Sequence, residues 1–332
     1  MNIYYSKERN VQMLIALLKA HNIKRIIVSP GTTNVCFVAS VQQDSYFELF
    51  SCVDERSAGY MACGMAAETG EPVALSCTGA TASRNYMPAL TEAYYRKLPV
   101  LAITSSRSIG QIGQNIDQVI DRTHLPNDIA RKSVYIPIPN SKADIWECNL
   151  KINTALIELR RHGGGPVHIN LMTCYSDDFS VKELPQERVI HYHSYGYRLP
   201  ELSGSIGVFV GAHLKWTKEL TATVDAFCEK YNAVVLKNRT SNYKGNYGVD
   251  FFLLWQQKNA SVAEKFKCLI YIGDVTSFAY GFADEIWNIP LSQTTRTFGR
   301  CATVARAISV RVSISNRYRF AGLIITATTT SS

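Results

Sequence analysis

Glu55 is the residue of this chain that its sequence surroundings could prepare for proton transfer. It follows an apolar stretch that predicts a strand, and it opens a helix built from small residues. The small residues recur at every fourth position along two rows, which are Ala58, Ala62 and Ala66 beside Gly59, Cys63 and Ala67. Because such a helix face carries little side-chain bulk, it can pack very close to a neighbour. We expect a carboxylate at the root of this helix to be partly buried, where it can hold or share a proton. A simple ion pair with Arg56 is the alternative.

Three further predicted strands end in polar residues that could meet Glu55. Apolar stretches at 24–28, 72–77 and 99–104 alternate with helical patterns, which is typical of a parallel sheet covered on both faces. The polar residues that follow these strands and the strand before Glu55 include Thr32, Glu55, Thr78 and Arg107. In α/β folds of this kind, ligands bind beyond the carboxyl ends of the strands. We therefore expect a binding site at that edge of the sheet.

The strand ends carry chemical signals of their own. Pro30 fixes φ and Gly31 permits close backbone approach in the turn that leads to two threonine hydroxyls. The guanidinium of Arg107 can hold a carboxylate in a bidentate pair, although a surface ion pair at a strand end is the alternative. His168 alternates with apolar residues in another predicted strand and has no partner motif, so we interpret it as a packed core histidine.

The order of short motifs along the chain is specific. It begins with Ser-Pro-Gly at 29–31, Asp-Glu-Arg-Ser-Ala-Gly at 54–59 and Cys-Thr-Gly-Ala-Thr at 77–81. It continues with Leu-Pro-Val-Leu-Ala-Ile-Thr at 98–104, Asn-Ile-Asp-Gln at 115–118 and Gly-Pro-Val-His-Ile-Asn at 165–170. This series resembles the pyrimidine-binding domain of thiamine diphosphate (ThDP)-dependent enzymes. Within that superfamily it is similar to the 2-succinyl-5-enolpyruvyl-6-hydroxy-3-cyclohexene-1-carboxylate synthases of menaquinone biosynthesis.

The resemblance implies roles for the matching residues. Glu55 matches the glutamate that hydrogen-bonds the aminopyrimidine ring and thereby activates the cofactor. Cofactor-binding positions are implied at Pro30, Gly31, Glu55, Thr78, Gly79, Thr81 and Asn85. Substrate-binding positions are implied at Thr32, Thr33, Arg107 and Gln114, although the substrate glutamine could be Gln114 or none. Thr32 and Thr33 stand where the family usually carries Ser-Arg or Ser-Asn, so a different 2-oxo acid stays open as the substrate.

The resemblance also implies a diphosphate-binding motif that this chain lacks. Enzymes of the superfamily carry Gly-Asp-Gly followed by Asn-Asn, which holds Mg²⁺ against the diphosphate through oxygen ligands. The chain has Gly273-Asp274-Val275 and no Gly-Asp-Gly. We therefore predict no metal ligands among its residues and expect Mg²⁺ to be held by a diphosphate-binding domain that is not part of it.

We predict an α/β protein with two doubly wound domains and mainly parallel sheets. The ThDP pyrimidine-binding fold is expected at 1–180, a linker at 181–204 and an incomplete Rossmann-like middle domain at 205–292. Residues 293–332 are predicted to form a basic tail, with repeated Thr and Ser and no acidic residue. This break in composition favours a truncated or frameshifted product whose tail is not native to the fold.

The distribution of charges and cysteines limits the classes of binding partner and the cellular location that we expect. Residues 291–332 hold six arginines and no acidic residue, so the rest of the chain carries only +2 of the net charge of +8. A nearly neutral body with a basic tail does not indicate a nucleic-acid-binding surface. No apolar run approaches the ~18 residues of a membrane span, and the N-terminus has no apolar signal core. The nine cysteines include no Cys-x-x-Cys pair, so we expect buried thiols and a cytoplasmic location.

Three functions stay open at the level of the sequence. The first is a ThDP-dependent carboligase or decarboxylase for a small 2-oxo acid, completed between the chains of a homodimer or tetramer. The second is one subunit of a split enzyme whose separate partner supplies the diphosphate-binding domain. The third is a catalytically incompetent remnant or a regulatory partner. An NAD-dependent oxidoreductase is disfavoured, because Gly-x-Gly-x-x-Gly is missing.

Overall fold

The structure is a computed structural model that describes residues 4–194, 199–212, 216–251, 266–273, 283–289 and 322–327. The chain divides into two compact units, Met1–Val189 and Ile190–Ser332. The division lies inside the segment that the sequence predicts as a linker. Within the described ranges, no helix is both long enough and apolar enough to cross a lipid bilayer.

A parallel sheet with helices on both faces forms the first unit. The strands are β1 (Arg25–Val28), β2 (Glu48–Ser51), β3 (Val73–Cys77), β4 (Val100–Ser106), β5 (Lys132–Ile136) and β6 (Val167–Met172). The helices are α1 (Arg9–Ala20), α2 (Val35–Gln42), α3 (Glu55–Thr69), α4 (Ala80–Asn85), α5 (Met87–Arg96) and α6 (Lys142–Glu158). The strands lie in the order β2–β1–β3–β4–β6–β5, and every pairing is parallel. The predicted doubly wound α/β class is confirmed.

Side chains of the central strands alternate between two apolar cores. Ile26 of β1 packs into the core covered by α1, α2 and α6, whereas the next residue, Ile27, packs into the core covered by α3 and α5. Leu101 and Ala102 of β4 divide in the same way. This alternation follows from the two-residue period of a strand, and it explains why the strands read as uninterrupted apolar stretches.

The small-residue rows of α3 produce the close helix packing that the sequence predicts. A Cβ atom built on Gly59 would lie 2.7 Å from the Cβ atom of Ala89 in α5. One turn later, the Cys63 thiol donates a hydrogen bond to the Ala89 carbonyl oxygen at 3.3 Å. The helix begins at Glu55, and the side chain of Asp54 caps it by accepting the Ser57 backbone N–H at 2.7 Å.

The sequence pattern between β3 and β4 predicts a single helix over 82–95, but the structure has two helices there. α4 ends at Asn85 and α5 begins at Met87, with Tyr86 between them. Pro88 at the start of α5 explains the break, because proline has no N–H to donate to the preceding turn and its ring crowds that turn. The result is a short α4 that follows the Gly79 turn independently of α5.

The second unit is also built on a mainly parallel sheet. Its strands are β7 (Val189–Ser194), β8 (Ile206–Val210), β9 (Val234–Lys237), β10 (Gly248–Asp250), β11 (Phe266–Ile272), β12 (Ala283–Ile289) and β13 (Gly322–Ala327). They lie in the order β10–β9–β8–β11–β12–β13–β7. The pairings from β10 to β12 are parallel, and β13 is antiparallel to β12. Helix α7 (Lys218–Tyr231) packs on the parallel part through Leu220, Val224, Phe227 and Cys228.

The predicted tail contributes one strand to this sheet. β13 lies within residues 293–332 and pairs with β12 over Glu285 to Asn288. The other residues of the tail lie outside the described ranges. Its predicted non-native origin stays a prediction.

His168 is a buried core residue, as its alternation with apolar neighbours predicts. Its ring nitrogens lie 2.7 Å from the Thr104 hydroxyl and 2.9 Å from the Ser133 hydroxyl. Burial, together with the nearby cations Arg122 and Arg84, lowers the pKa of His168 to about 3. The imidazole is therefore neutral at physiological pH.

We expect Gly59→Ala to be less stable than Gly64→Ala by about 1–3 kcal/mol in urea unfolding. Both substitutions gain the same helix propensity in α3. The new methyl group at position 59 meets Ala89, whereas nothing lies within 4 Å of a Cβ atom at Gly64. Equal unfolding free energies for the two variants would contradict the close packing of α3 on α5.

We expect His168 to make the protein sensitive to mild acid. The unfolded chain takes up a proton on this residue near pH 6.5, but the folded protein does so only near pH 3. The stability contributed by the neutral ring is fully present above about pH 6.5 and is lost as the pH falls toward 3, by about 1.4 kcal/mol per pH unit. Urea unfolding at pH 7, 6 and 5 should show a shallower loss for His168→Gln than for the wild type. The exposed His124→Gln variant should keep the wild-type slope.

Candidate active site at the carboxyl ends of the strands

Hydrogen bonds through Thr33 join three of the turns at the carboxyl edge of the first sheet. The Thr33 hydroxyl accepts the backbone N–H of Gly79, after β3, at 3.2 Å. The Thr33 carbonyl accepts the hydroxyl of Thr173, after β6, at 2.8 Å. Thr33 itself is 4% exposed. This predicted substrate-binding residue therefore ties the turns together, while its neighbour Thr32 is exposed at the edge.

The turn after β1 is held against β3 by polar and steric contacts. The Asn34 amide donates to the Ser29 carbonyl at 3.1 Å and to the Ser76 hydroxyl at 3.2 Å, and its side-chain oxygen is buried with no partner in the described part of the chain. A Cβ atom at Gly31 would overlap the Thr78 methyl group. Because the φ of Gly31 is −176°, this position requires glycine for space and not for backbone conformation. Gly31 and Thr78, both predicted to bind the cofactor, are thus brought together.

Glu55 lies at the first position of α3, where the next strand in the sheet ends. It is half-buried, and because Asp54 provides the helix cap, the Glu55 carboxylate is not used for capping. Among the described residues, no hydrogen bond and no salt bridge engages this carboxylate, and the alternative ion pair with Arg56 does not form. The carboxylate is therefore available to a donor from outside the described protein.

A buried thiol and a buried phenol lie within electrostatic range of Glu55. Burial raises the pKa of Cys77 to about 12; the Tyr86 hydroxyl and Arg122 oppose this shift and Glu55 adds to it. Burial also raises the pKa of Tyr86 well above its usual value, with further contributions from Cys77 and Glu55. Both groups are neutral at physiological pH. Glu55 is thus the acidic side chain that faces two neutral buried neighbours.

The predicted cofactor residues after β3 lie on a turn and on α4. Gly79 is buried and precedes α4, whereas Thr81 and Asn85 lie on that helix and are exposed. A Cβ atom at Gly79 would lie 3.0 Å from the Ser105 carbonyl oxygen and 3.2 Å from the Gln118 carbonyl oxygen. The backbone at residue 118 therefore passes directly over the turn.

The structure brings Gln118 to this turn and does not bring Gln114 there. Gln114 is exposed, and its backbone N–H bonds the Gln111 carbonyl at 3.2 Å within its own loop. Gln118 has a φ of 58° and lies against Gly79. Sequence reasoning missed Gln118, although it ends the Asn-Ile-Asp-Gln motif that contributes to the family resemblance. Predicting Gln118 would have required knowing that its backbone lies close to the Gly79 turn.

Arg107 is held in place by an acidic and an aromatic neighbour. Its Nη2 atom lies 3.5 Å from the Asp117 carboxylate, and its guanidinium lies over the Tyr175 ring at 5.0 Å. Asp117 is 78% exposed, so this ion pair contributes little to stability. The Nε atom of Arg107 is buried with no acceptor among the described residues. Both the salt bridge and a role in binding a carboxylate are compatible with this geometry.

No group of three or more His, Cys, Asp or Glu side chains with the geometry of a metal site occurs in the described ranges. Pro30, the remaining predicted cofactor residue, is exposed beside Gly31. The predicted residues therefore fall at four strand ends of one sheet, and the contacts described among them join Gly31 to Thr78 and Thr33 to Gly79.

Comparison with known proteins gives a family match within the first unit. Residues 9–125 match the family described as thiamine pyrophosphate enzyme, N-terminal TPP binding domain. Over 187 residues the chain is 39% identical to the 2-succinyl-5-enolpyruvyl-6-hydroxy-3-cyclohexene-1-carboxylate synthase of Bacteroides thetaiotaomicron, which covers 56% of this chain and 34% of that protein. The synthase of the same name from Flavobacterium johnsoniae is 36% identical over 166 residues, or 50% of this chain and 29% of the relative.

A longer match reaches into the second unit. The synthase of the same name from Porphyromonas gingivalis is 29% identical over 261 residues, which covers 74% of this chain and 44% of that relative. The chain thus spans about a third to less than half of the length of these curated relatives. With its doubly wound parallel sheet, the segment 9–125 belongs to the N-terminal ThDP-binding domains of ThDP-dependent enzymes, and the chain is homologous over part of its length to the 2-succinyl-5-enolpyruvyl-6-hydroxy-3-cyclohexene-1-carboxylate synthases.

Proposed function

We propose that the first unit binds the aminopyrimidine half of ThDP in a carboligase or decarboxylase that acts on a small 2-oxo acid. The observation that carries this proposal is Glu55: a half-buried carboxylate at the carboxyl edge of the sheet, with no hydrogen bond or salt bridge from the described protein. It lies inside the segment that matches the ThDP-binding family. A half-buried carboxylate with no partner in the described protein is open to a ligand, and a ring nitrogen of a bound pyrimidine would form a hydrogen bond with it.

The role proposed for Glu55 is to hold and exchange a proton with the pyrimidine ring. When bound, ThDP supplies the nucleophilic carbon that attacks the carbonyl of a 2-oxo acid. The chain's own contribution is to place one carboxylate at the first position of α3, which is fixed by the Asp54 cap and by the packing of Gly59 on Ala89. A rigid helix start keeps that carboxylate in one orientation, which proton transfer requires.

The turns around Glu55 are proposed to enclose the cofactor ring and the substrate. Pro30, Gly31, Thr78, Gly79, Thr81 and Asn85 are the proposed cofactor-binding residues. Thr32, Thr33, Arg107 and Gln114 are the proposed substrate-binding residues, and Gln118 joins them because of its place at the Gly79 turn. Arg107 is the member whose chemistry fits an acidic substrate best, since its buried Nε atom has no acceptor in the described protein. The acyl donor and acceptor of the reaction are not specified by these contacts.

The diphosphate and Mg²⁺ are proposed to bind at a domain other than the two described units. The 332 residues hold no Gly-Asp-Gly, and the matched segment spans about a third of the length of the relative from Bacteroides thetaiotaomicron. We therefore propose that a diphosphate-binding domain, whichever polypeptide carries it, completes the site. The cytoplasmic location predicted from the cysteines stays a prediction.

An exposed apolar face of α3 supports the proposal that two or more copies associate. Tyr60 is 46% exposed and Met61 is 39% exposed, and Val53, just before the helix, is 80% exposed. Gly64 on the same face has open space around it, since nothing lies within 4 Å of where its Cβ atom would stand. An apolar helix face next to a candidate active site is the kind of surface that buries well in a homodimer.

We expect Glu55→Gln to weaken ThDP binding by roughly tenfold to a hundredfold, because loss of a charged hydrogen bond costs about 1.5–3 kcal/mol. The measurement is isothermal titration of ThDP with Mg²⁺ into the purified chain, alone and with lysate of its source. Glu68→Gln, at the exposed far end of the same helix, should bind like the wild type. The proposal is wrong if the wild-type chain binds no ThDP under either condition. Binding only in the presence of lysate would identify a partner as the source of the diphosphate-binding domain.

We expect Tyr60→Lys to shift the chain toward the monomer in analytical ultracentrifugation, because a charge would be buried between α3 helices without a partner. Tyr95→Lys is the matched control, since Tyr95 is 70% exposed on α5 and its hydroxyl bonds the carboxylate of Asp128 at the surface. The idea of association through α3 fails if both variants sediment like the wild type.

A further inference from the structure

A small, partly open cavity lies in the first unit between α5 and strands β4 and β6. Its polar lining residues are Arg122, Thr104, His168, Ser83 and Tyr86, and apolar residues line the remainder. The space accommodates one body about the size of a water molecule or a halide ion. No Asp or Glu is among the residues that line it. A cavity of this kind holds one small ligand or stays empty.

Arg122 is a buried cation whose donors are not satisfied. It is 5% exposed, and its Nη2 atom donates to the Ser105 carbonyl at 2.8 Å. Its Nε and Nη1 atoms are buried and have no acceptor among the described residues. Burial lowers the pKa of Arg122 to about 10, and Arg84 lowers it as well, so the side chain is still charged at neutral pH. Buried charges in proteins are otherwise paired, and buried N–H groups are otherwise bonded.

The neighbours of Arg122 cannot neutralise it. Both ring nitrogens of His168 are engaged by the hydroxyls of Thr104 and Ser133, and the ring is neutral. The Cys77 thiol, with a pKa of about 12, is also neutral. Arg84 adds a second positive charge to the same region, where Asp121 interacts with it. Within the described protein, no carboxylate lines the cavity or forms a salt bridge with Arg122.

We propose that this cavity binds a single small inorganic anion, of the size of chloride or bromide, through the Nε and Nη1 donors of Arg122. A halide fits the space, accepts both N–H groups and supplies the missing negative charge, whereas a water molecule satisfies the donors and leaves the charge uncompensated. The proposal concerns an ion-binding site in the core and does not depend on ThDP binding.

The position of Arg122 gives this ion a structural consequence. Its Nη2 atom lies 3.5 Å from where a Cβ atom of Gly79 would stand, and its main-chain partner, Ser105, belongs to β4. An ion bound by Arg122 fixes the segment around residues 118–122 against the turn after β3. The ion therefore stabilises the loop that borders the candidate active site.

The experiment is thermal unfolding of the purified chain in sodium chloride or bromide against sodium gluconate at constant ionic strength. For the wild type we expect the midpoint to rise with halide, by on the order of 2–4 °C at ten times the dissociation constant, and to keep rising with the logarithm of the halide concentration above it. Arg122→Met should lose this dependence, and Arg131→Met, from the same chain segment, should retain it. A midpoint in wild-type protein that is identical in halide and gluconate overturns the proposal.

A crystallographic measurement keeps the test decisive if Arg122→Met does not fold. Wild-type crystals soaked in bromide should give an anomalous peak within hydrogen-bond distance of the Arg122 Nη1 atom. A peak there confirms the ion site. An ordered water molecule at that position, with no anomalous signal after soaking, overturns it.

Discussion

The contact of α3 with α5 is the constraint on which the rest of the first unit depends. Gly59 brings the two helices so close that a Cβ atom would lie 2.7 Å from Ala89, and this approach is possible only because both helices present small residues. Close packing fixes the start of α3 relative to the sheet, and the start of α3 is where Glu55 stands. The same geometry leaves Tyr60 and Met61 on the opposite face without cover. One run of small residues thus positions the candidate catalytic carboxylate and creates an apolar face beside it.

Much of this arrangement could be predicted from the sequence, because it follows from local rules. The parallel sheet is predicted by apolar stretches that can be recognised without knowing their contacts. The face of α3 that packs closely on α5 is predicted by small residues spaced four positions apart. Since the carboxyl ends of parallel strands must meet at one edge, Thr32, Glu55, Thr78 and Arg107 could be predicted at that edge from the sequence. Edge strand β5 was not predicted, because its half-exposed residues lack the apolar character of the central strands.

The parts that sequence reasoning missed are set by contacts between distant segments. The break at Tyr86 depends on Pro88, which a pattern of apolar residues does not register. The choice between Gln114 and Gln118 depends on how the loop after β4 returns over Gly79, and nothing in the local sequence determines that path. Arg122 looks like an ordinary loop arginine in the sequence. Only the fold buries it beside His168, more than forty positions away along the chain.

Glu55 and Arg122 are two charged residues of the first unit that have no ion-pair partner in the described structure. Each lies within electrostatic range of the neutral thiol of Cys77, yet no salt bridge joins them in the described structure. A fold selected only for stability would pair or remove such charges, because a buried charge without a partner is costly. The separation is explained if each charge has its own ligand, a ring nitrogen at Glu55 and a small anion at Arg122. The turn at Gly79 lies beside Arg122 and carries residues proposed to bind the cofactor, so occupation of either site would restrict the same piece of backbone.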